Sequence, residues 1–424
     1  MTPSMTIQKK EDVDLFQLKI QRQQERYAAT AARLKNKATI NVAFLVIHSS
    51  IWKYHRVYKL MEADPRFHPT VVVCPYLKDG KAHMSEEMDK TLRFMQHSGY
   101  NVLKTYDEEN DSWIDIKSEL QPDIVFFSVP YDYTRDEYRL ANFRYALTCY
   151  VPYFFTTNGK KGSNYDGPFH NLVWRSFYET EIHKKYAEEY ARNRGENVVV
   201  SGYPRLDDFL FADQQMVSDP WNSSSDELKR IIWAPHHTID GQGQGLNYST
   251  FKTYHELFKE IATAYSDKIQ IAFKPHPLLK QKLYKDEDWG KKRTDQYYRF
   301  WDNLQNGLLA EADYTDLFLT SDVLIHDCSS FMAEYLATGK PSLYLLHDLG
   351  VRERLHQFGK MALHRHYQAQ RGDEILKFIE HQALQQKDPM QEVRTRFVNS
   401  RLMPPNEKTA AENIVNYVKN EISH

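Results

Sequence analysis

Short apolar runs alternate with segments of helical periodicity along most of the chain. Val42–Ile47 and Ile124–Val129 have the length and the unbroken hydrophobicity of strands buried on both faces. Between them, Ser85–Ser98 and Trp113–Leu120 repeat apolar residues at the spacing of a helix face. Because strands that alternate with helices form parallel sheets with helical crossovers, the pattern predicts an α/β protein.

The predicted strands form two sets, and the polar, turn-rich stretch Asp213–Lys229 between them predicts a linker. The strands are Asn41–Ile47, Thr70–Pro75, Tyr100–Leu103, Asp123–Val129, Tyr150–Thr156 and Asn197–Ser201, then Ile231–Ala234, Lys268–Phe273, Val323–Ile325 and Pro341–Leu346. A helix is predicted over Ser249–Tyr265, with Ser249 as its N-cap. The predicted fold class is two doubly wound, Rossmann-like domains facing a cleft, closed by terminal helices such as Thr409–Ile422.

A segment rich in Gln, Arg, Lys and Ala precedes the first strand. Its apolar residues recur at the spacing of one helix face, and they are Val13, Phe16, Ile20, Tyr27 and Leu34. We expect a helical arm that packs on the body of the protein, with a second chain or an anionic membrane surface as the alternatives. The predicted domain limits are 1–38 for the arm, 39–212 for the N-terminal domain, 226–400 for the C-terminal domain and 401–424 for the closing helix.

Composition and charge narrow the function classes. The 424 residues include 55 Lys and Arg against 57 Asp and Glu, a net charge of -2, so no overall basic field indicates nucleic-acid binding. The three widely spaced cysteines fit neither a disulfide framework nor a zinc site and are typical of a reducing compartment. Without an apolar run of roughly 18 residues or a secretory signal, we expect a cytoplasmic protein, with peripheral membrane contact through the arm left open.

Clusters of polar residues follow three predicted strands of the second set. They are His236-His237-Thr238, Lys274-Pro275-His276-Pro277 and Asp327-Cys328-Ser329-Ser330, and the glycine-rich run 241–245 follows the first. In open α/β sheets, ligands bind outside the carboxyl ends of the strands. Three such clusters in one sheet predict a site for an anionic substrate, and its candidate groups are His236, His237, Lys274, His276, Ser329 and Ser330.

Simpler interpretations exist for each cluster. Ser329 and Ser330 have the residue type and position of a helix N-cap, with Glu334 early in the helix that follows. Arg205, in the turn after Asn197–Ser201, could pair with a nearby aspartate or reach a phosphate. His276 lies between prolines and no carboxylate stands at the helical spacing of zinc enzymes, so neither a metal nor another cofactor is expected.

Several motifs taken together resemble the CDP-glycerol glycerophosphotransferase family, whose members build teichoic acids and related bacterial surface polymers. They are G-Y-P-R-x-D at 202–207, W-A-P-H at 233–236, K-P-H-P at 274–277, S-D-V-L-I-x-D-x-S-S at 321–330 and T-G-K-P at 338–341. The resemblance covers roughly residues 198–346. It implies a GT-B fold, with the donor held by the C-terminal domain and the acceptor approaching from the N-terminal domain.

Carried over to this sequence, the resemblance places His276 beside the donor phosphates and Ser329 and Ser330 on the pyrophosphate. Asp327 and Arg205 fall on motif positions whose roles are less defined. The sequence departs from the family where a W-H-G-T-like segment supplies a histidine base, because the equivalent position here is Asn158, and an amide does not accept a proton near neutral pH. His170, His236 and His237 are the alternative bases, with His48 as a further candidate.

The expected reaction is attack of an acceptor hydroxyl on the phosphorus that carries glycerol in CDP-glycerol, with release of CMP. His276, Lys274 and the helix start at Ser329 and Ser330 would stabilise charge on the phosphoryl oxygens, and His237 or His170 would act as base. The first alternative is a GT-B glycosyltransferase for lipopolysaccharide or capsule, in which Glu334 or Asp327 would hold the ribose. The second is an inactive scaffold relative. The expected partners are a nucleotide-activated donor and a glycan or lipid-linked acceptor.

Overall fold

The computed structural model describes residues 3–78, 80–159, 161–222, 227–239, 248–311 and 313–423. The glycine-rich run 241–245 lies outside the described residues. The chain folds as two compact units: the first comprises Met1–Phe154, Lys160–Asp207 and Pro404–His424, and the second comprises Phe155–Gly159 and Asp208–Met403.

The first unit is built on a parallel sheet of seven strands in the order β3-β2-β1-β6-β7-β8-β9. These strands are β1 (Ile40–Val46), β2 (Phe67–Val73), β3 (Val102–Lys104), β6 (Ile124–Phe127), β7 (Leu147–Tyr150), β8 (Arg175–Tyr178) and β9 (Val198–Val200), and a separate hairpin joins β4 (Tyr106–Asp107) to β5 (Ser112–Trp113). The strand order reverses between β1 and β6, which is the switch point of a doubly wound fold.

The second unit contains a parallel sheet of six strands in the order β12-β11-β10-β13-β14-β15. The strands are β10 (Lys229–Ala234), β11 (Ile269–Phe273), β12 (Gly307–Leu309), β13 (Val323–His326), β14 (Ser342–Leu345) and β15 (Tyr367–Ala369). Its switch point lies between β10 and β13. The inner strands β11, β13 and β14 are wholly buried because helices cover both faces of a parallel sheet.

Helices connect the strands of both sheets. In the first unit they are α1 (Pro3–Lys35), α2 (His55–Glu62), α3 (Lys81–His97), α4 (Ile116–Glu119), α5 (Lys161–Tyr165), α6 (Pro168–Leu172), α7 (Glu181–Tyr190) and α18 (Ala410–Glu421), while α8 (Pro204–Leu210) leads out of that unit. In the second unit they are α9 (Phe251–Ala264), α10 (Leu279–Lys285), α11 (Gly290–Asn303), α12 (Thr315–Thr320), α13 (Phe331–Leu336), α14 (Val351–Arg354), α15 (Gln357–Leu363), α16 (Gly372–Phe378) and α17 (Gln391–Phe397).

The predicted α/β class is confirmed, and ten strands lie at or next to their predicted positions. The predicted strand Tyr150–Thr156 is wrong in its bounds, since the observed strand ends at Tyr150. Pro152 has no amide hydrogen for a sheet ladder, which accounts for the early end. Strands β8, β12 and β15 were not predicted, because each has only three or four residues and no long apolar run. Ser249 does not cap α9, whose N-cap is Thr250.

The predicted apolar face of the N-terminal helix packs on the first unit. Ile20, Tyr27 and Leu34 are buried, as the spacing predicts. The hydroxyl of Tyr27 lies 2.5 Å from the Thr148 hydroxyl in β7 and donates to the carbonyl of Leu172 at 3.0 Å. The favoured interpretation of the arm is therefore confirmed at Ile20, Tyr27 and Leu34, while Phe16 is partly exposed and the side chain of Val13 lies outside the described residues. Within the described part of the chain, the helices are too short or too polar to cross a bilayer.

Candidate functional site

The candidate site lies at the carboxyl end of the second sheet, where the strand order reverses. The polar clusters predicted from the sequence follow β10, β11 and β13, which are neighbouring strands in the order β11-β10-β13. Loops that leave adjacent parallel strands emerge at the same edge of the sheet, so the topology brings these clusters together. The amide of His276 donates to the carbonyl of Pro235 at 3.0 Å, which joins the loops after β11 and β10 directly.

Three histidines form the centre of this site. The ring centroids of His236 and His237 lie 4.3 Å apart, those of His237 and His276 4.2 Å, and those of His236 and His276 5.0 Å. One ring nitrogen from each residue lies within 4.8 Å of the others, a spacing that a shared metal ion could use. All three side chains are partly exposed, so the cluster is open to a ligand.

The electrostatic environment favours neutral imidazoles in the cluster. Burial of the rings lowers the pKa of His276 well below its usual value, and the positive groups of His236, His237, Lys274 and Lys282 lower it further. Burial also lowers the pKa of His236, with additional contributions from His237 and Lys282. A neutral imidazole can donate one hydrogen bond and accept one, which suits binding of phosphoryl oxygens or holding of a metal ion.

The rigid base of the site comes from aromatic packing beneath the loops. Trp233, near the end of β10, is fully buried and stacks on Phe258 of α9 with ring centroids 4.1 Å apart. Its ring also packs on Phe273, the last residue of β11, at 5.1 Å. The two residues that precede the polar loops are therefore anchored in one core, which restricts the positions of the histidines that follow.

Asp327 joins two loops of the site through its hydrogen bonds. Its side chain is fully buried, and its carboxylate accepts hydrogen bonds from the His236 amide at 2.5 Å, the Thr250 amide at 2.6 Å and the Thr250 hydroxyl at 2.8 Å. Burial raises the pKa of Asp327 to about 7, although the donated hydrogen bonds oppose the shift. Both oxygens of Asp327 bond the protein, which gives the residue a structural role, and its assignment to substrate binding stays a prediction.

Lys274 and Glu334 both lie next to Tyr314, a residue that the sequence analysis did not assign to the site. The Lys274 ammonium lies 6.0 Å from the centre of the Tyr314 ring, and the Tyr314 hydroxyl donates to the Glu334 carboxylate at 2.5 Å. Lys274 is 5% exposed and Glu334 is 2% exposed. This burial gives Glu334 little surface with which to bind the ribose hydroxyls that one alternative assigned to it.

Ser329 and Ser330 precede α13, as predicted, but the Ser330 side chain does not cap that helix. Ser330 has the backbone conformation of a helical residue, which differs from the extended conformation of most N-caps. The carbonyl of Ser329 accepts a hydrogen bond from the Thr157 hydroxyl at 3.0 Å. Capping therefore does not account for the Ser330 hydroxyl.

The segment that carries Asn158 belongs to the second unit, although its sequence neighbours lie in the first. The Gly159 amide donates to the Arg354 carbonyl at 2.7 Å, and the His356 amide donates to the Thr157 carbonyl at 3.0 Å. Together with the bond from Thr157 to Ser329, these contacts attach the segment beside the start of α13. Asn158 is therefore held in the same unit as the histidine cluster.

The remaining predicted residues lie in the first unit. His170 in α6 is 5% exposed, packs on the rings of Tyr150 and Phe169, and has a pKa lowered to about 4 by burial. Such packing does not favour a role as base. Arg205 is buried in the first turn of α8. His48 Nδ1 lies 3.1 Å from the Glu87 carboxylate.

Sequence reasoning assigned no role to two threonines of the site. The Thr238 hydroxyl lies 3.0 Å from His236 Nδ1 and accepts hydrogen bonds from the amides of Tyr248 at 3.0 Å and Ser249 at 3.3 Å. Thr250 donates both its amide and its hydroxyl to Asp327. The only signal for Thr238 was its position next to the histidines, and none marked Thr250.

Fold and site together define a two-unit, parallel α/β protein with a cluster of polar side chains at the carboxyl edge of its second sheet. The sequence profile of the CDP-Glycerol:Poly(glycerophosphate) glycerophosphotransferase family matches residues 163–420, which is more than half of the chain. The chain belongs to this family, as the motifs predicted.

Curated relatives match less than half of the chain. The chain is 27% identical over 207 residues to the teichoic acid ribitol-phosphate polymerase TarK of Staphylococcus aureus, covering 46% of this chain and 36% of TarK. It is 28% identical over 177 residues to the teichoic acid poly(ribitol-phosphate) polymerase of Bacillus spizizenii, covering 40% of this chain and 25% of that protein. The chain thus spans about a third or less of the length of these relatives.

Solved structures support the fold. The wall teichoic acid polymerase TagF, in its H444N variant, matches with a TM-score of 0.57 and 14% identity over 100% of this chain and 98% of that chain. The UDP-GlcNAc 2-epimerase from Neisseria meningitidis matches with a TM-score of 0.51 and 14% identity over 90% of this chain and 99% of that chain. The predicted GT-B fold class is thereby confirmed.

Proposed function

We propose that the chain transfers a polyol phosphate, glycerol phosphate or ribitol phosphate, from a CDP-activated donor to a hydroxyl group of a cell-envelope polymer and releases CMP. The observation that carries the proposal is the cluster of three histidines at the switch point of the second sheet, with the buried Lys274 on the same loop as His276. Family membership and the polyol-phosphate polymerases among the relatives support the choice of donor.

In the proposed reaction, the acceptor oxygen attacks the phosphorus that bears the polyol. A new phosphorus–oxygen bond forms as the bond to the CMP oxygen breaks, and the acceptor proton passes to a base. His276 and Lys274 face the developing negative charge on the phosphoryl oxygens, where fixed donors lower the barrier electrostatically. Ser329 and Ser330 contribute hydroxyls to the same phosphates.

His237 is the proposed base. It lies in the donor site, with its ring 4.2 Å from that of His276, while the buried ring of His170 has little access to an acceptor. Removal of a general base typically lowers the rate by about 10²- to 10⁴-fold. Arg205 stays a proposed phosphate contact.

The acceptor and the place of the reaction belong to the same proposal. The curated relatives are named for teichoic acid polymers, which supports a glycan or lipid-linked acceptor. A peripheral position on the cytoplasmic face of the membrane would bring the donor and such an acceptor together.

The test measures CMP release from CDP-glycerol and CDP-ribitol, with a cell-envelope extract as acceptor and UDP-sugars in parallel. We expect CMP release by the wild type and a loss of about 10²- to 10³-fold in His276→Gln, because a fixed donor to the phosphoryl oxygens is removed. His364→Gln, which changes an exposed histidine of the same unit, is the matched control and should retain full activity.

Each other outcome has a defined meaning. Turnover of a UDP-sugar with no CMP release would replace phosphoryl transfer by glycosyl transfer. Binding of CDP-glycerol without turnover of any donor would indicate an inactive relative. An equal loss in His276→Gln and His364→Gln would remove the histidine cluster from the mechanism.

A further inference from the structure

The hydrogen bonds around the histidine cluster determine which ring nitrogen carries the proton. The amide of Leu278 donates to Nδ1 of His276 at 3.1 Å. A nitrogen that accepts an amide hydrogen has no proton of its own, so in the neutral ring the proton is on Nε2. His276 is therefore a donor through Nε2.

The Thr238 hydroxyl has the same effect on His236. A hydroxyl has one hydrogen and two acceptor lone pairs. The amides of Tyr248 and Ser249 donate to Thr238 Oγ1 at 3.0 and 3.3 Å, which occupies both lone pairs. The Thr238 hydrogen is left for His236 Nδ1, 3.0 Å away, so the proton of the neutral His236 ring is also on Nε2.

The hydrogen bonds to these two rings run in the opposite direction to those of histidines that bind metal ions. A histidine that binds a metal usually donates its second ring N–H to a carboxylate, a carbonyl or water. Here the second nitrogens of His236 and His276 accept hydrogen bonds instead. With Nδ1 occupied and Nε2 protonated, neither neutral ring offers a lone pair to a metal ion, although the spacing of the three rings would suit one.

We propose that Thr238 is a positioning residue of the donor site, which with the Leu278 amide fixes His236 and His276 as neutral Nε2–H donors for an anionic phosphoryl group. The cluster is thus an anion site and not a metal site. The inference rests on the proposed function for the identity of the anion, but the proton positions depend only on the contacts within this unit.

Nuclear magnetic resonance of the protein labelled at histidine with ¹⁵N and ¹³C tests the proton positions without any substrate. The two resonances are assigned by their loss in His236→Gln and His276→Gln. We expect both rings in the Nε2–H form near pH 7. In Thr238→Val, His236 should become a mixture of both forms while His276 is unchanged, and Thr238→Ser should restore the wild-type spectrum.

Kinetics and zinc binding complete the test. If the proposed function holds, Thr238→Val raises the KM for the CDP-activated donor by about 5- to 10-fold, the effect of one lost hydrogen bond, and Thr238→Ser does not. Titration of the wild type with Zn²⁺ should show no tight site that depends on His276. The wild type and His276→Ala should therefore bind zinc alike.

Three results would overturn the inference. A stoichiometric zinc site that disappears in His276→Ala would make the cluster a metal site, and Nδ1–H rings in the wild type would overturn the proton positions. A loss of activity in Thr238→Val with unchanged His236 proton positions would limit Thr238 to holding the loop amides. Absence of turnover with every donor would refute the proposed function and leave the spectra as the deciding measurement.

Discussion

The carboxyl edges of the two sheets share a topology and differ in what their polar groups do. Each edge has a switch point, between β1 and β6 in the first unit and between β10 and β13 in the second. In the first, the Tyr54 hydroxyl donates to the Phe127 carbonyl at 2.7 Å and accepts from the Val151 amide at 3.1 Å, and Lys53 donates to the Ser128 carbonyl at 2.9 Å. The polar groups of these side chains are therefore used in hydrogen bonds to the backbone.

In the second unit, one buried carboxylate connects the loops through its hydrogen bonds, and the histidines are not used for this purpose. Asp327 bonds the loop after β10 and the start of α9, while His236, His237 and His276 stay partly exposed. The comparison teaches that a switch point supplies only a location. Whether it binds a ligand depends on how many polar side chains the backbone leaves available.

The largest effect that would test this comparison is the removal of the carboxylate. We expect Asp327→Ala to lower the free energy of unfolding by about 3 to 5 kcal/mol, because the His236 amide and both Thr250 donors lose their buried acceptor. Urea denaturation followed by tryptophan fluorescence measures it. Asp327→Asn keeps one acceptor oxygen and should cost about half as much.

Tyr54→Phe is the counterpart in the first unit. It removes a neutral hydroxyl with two hydrogen bonds and should cost about 1 to 3 kcal/mol. If Asp327→Ala cost no more than Tyr54→Phe, the buried carboxylate would not be the special feature of the second edge.

The second expected effect concerns acid. Burial lowers the pKa of His170 to about 4, below the value of about 6.5 expected in the unfolded chain. Between these values the unfolded chain binds the extra proton, so stability falls as the pH drops below 6.5, by about 2 kcal/mol at pH 5 for this residue. Urea midpoints of the wild type and His170→Phe at pH 7 and pH 5 measure the difference.

In His170→Phe the contribution of this residue to the acid sensitivity should disappear, because phenylalanine does not titrate. Both the His170 ring and its replacement would pack on Tyr150 and Phe169. Parallel loss of stability in the two proteins between pH 7 and pH 5 would assign the acid sensitivity to other groups.

The sequence predicted the class of fold and the strand ends of the site because both depend on local patterns. Buried parallel strands such as Ile269–Phe273 are continuous apolar runs, and the polar residues that follow them mark the carboxyl edge. Short strands such as Gly307–Leu309 were not predicted. The pairing of this strand with β11 depends on tertiary contacts and not on its own composition.

The partners of the site residues could not be predicted for a related reason. The bond from Thr250 to Asp327 joins residues 77 positions apart in the sequence, and that from the His236 amide joins residues 91 positions apart. No local pattern records such a pairing. For this reason Asp327 was assigned to the ligand from its motif, although its buried carboxylate bonds the protein.

The smallest expected effect would test whether the first edge is only structural. Lys53 is 3% exposed, its ammonium lies 4.6 Å from the centre of the Tyr54 ring, and burial lowers its pKa well below the usual value. Lys53→Met keeps the length of the side chain and removes one hydrogen bond to Ser128. We expect the free energy of unfolding to change by about 1 kcal/mol or less. The variant loses one hydrogen bond, but it also avoids the cost of burying an amine.

Measuring the transfer activity of Lys53→Met shows whether Lys53 has only a structural role. If the polar groups of the first edge serve only the backbone, CMP release by Lys53→Met should stay within about twofold of the wild type, while His276→Gln loses about 10²-fold or more. A fold that melts normally but no longer releases CMP would show that Lys53 takes part in the reaction. Both edges would then bind a substrate, and the difference between them would be the identity of that substrate.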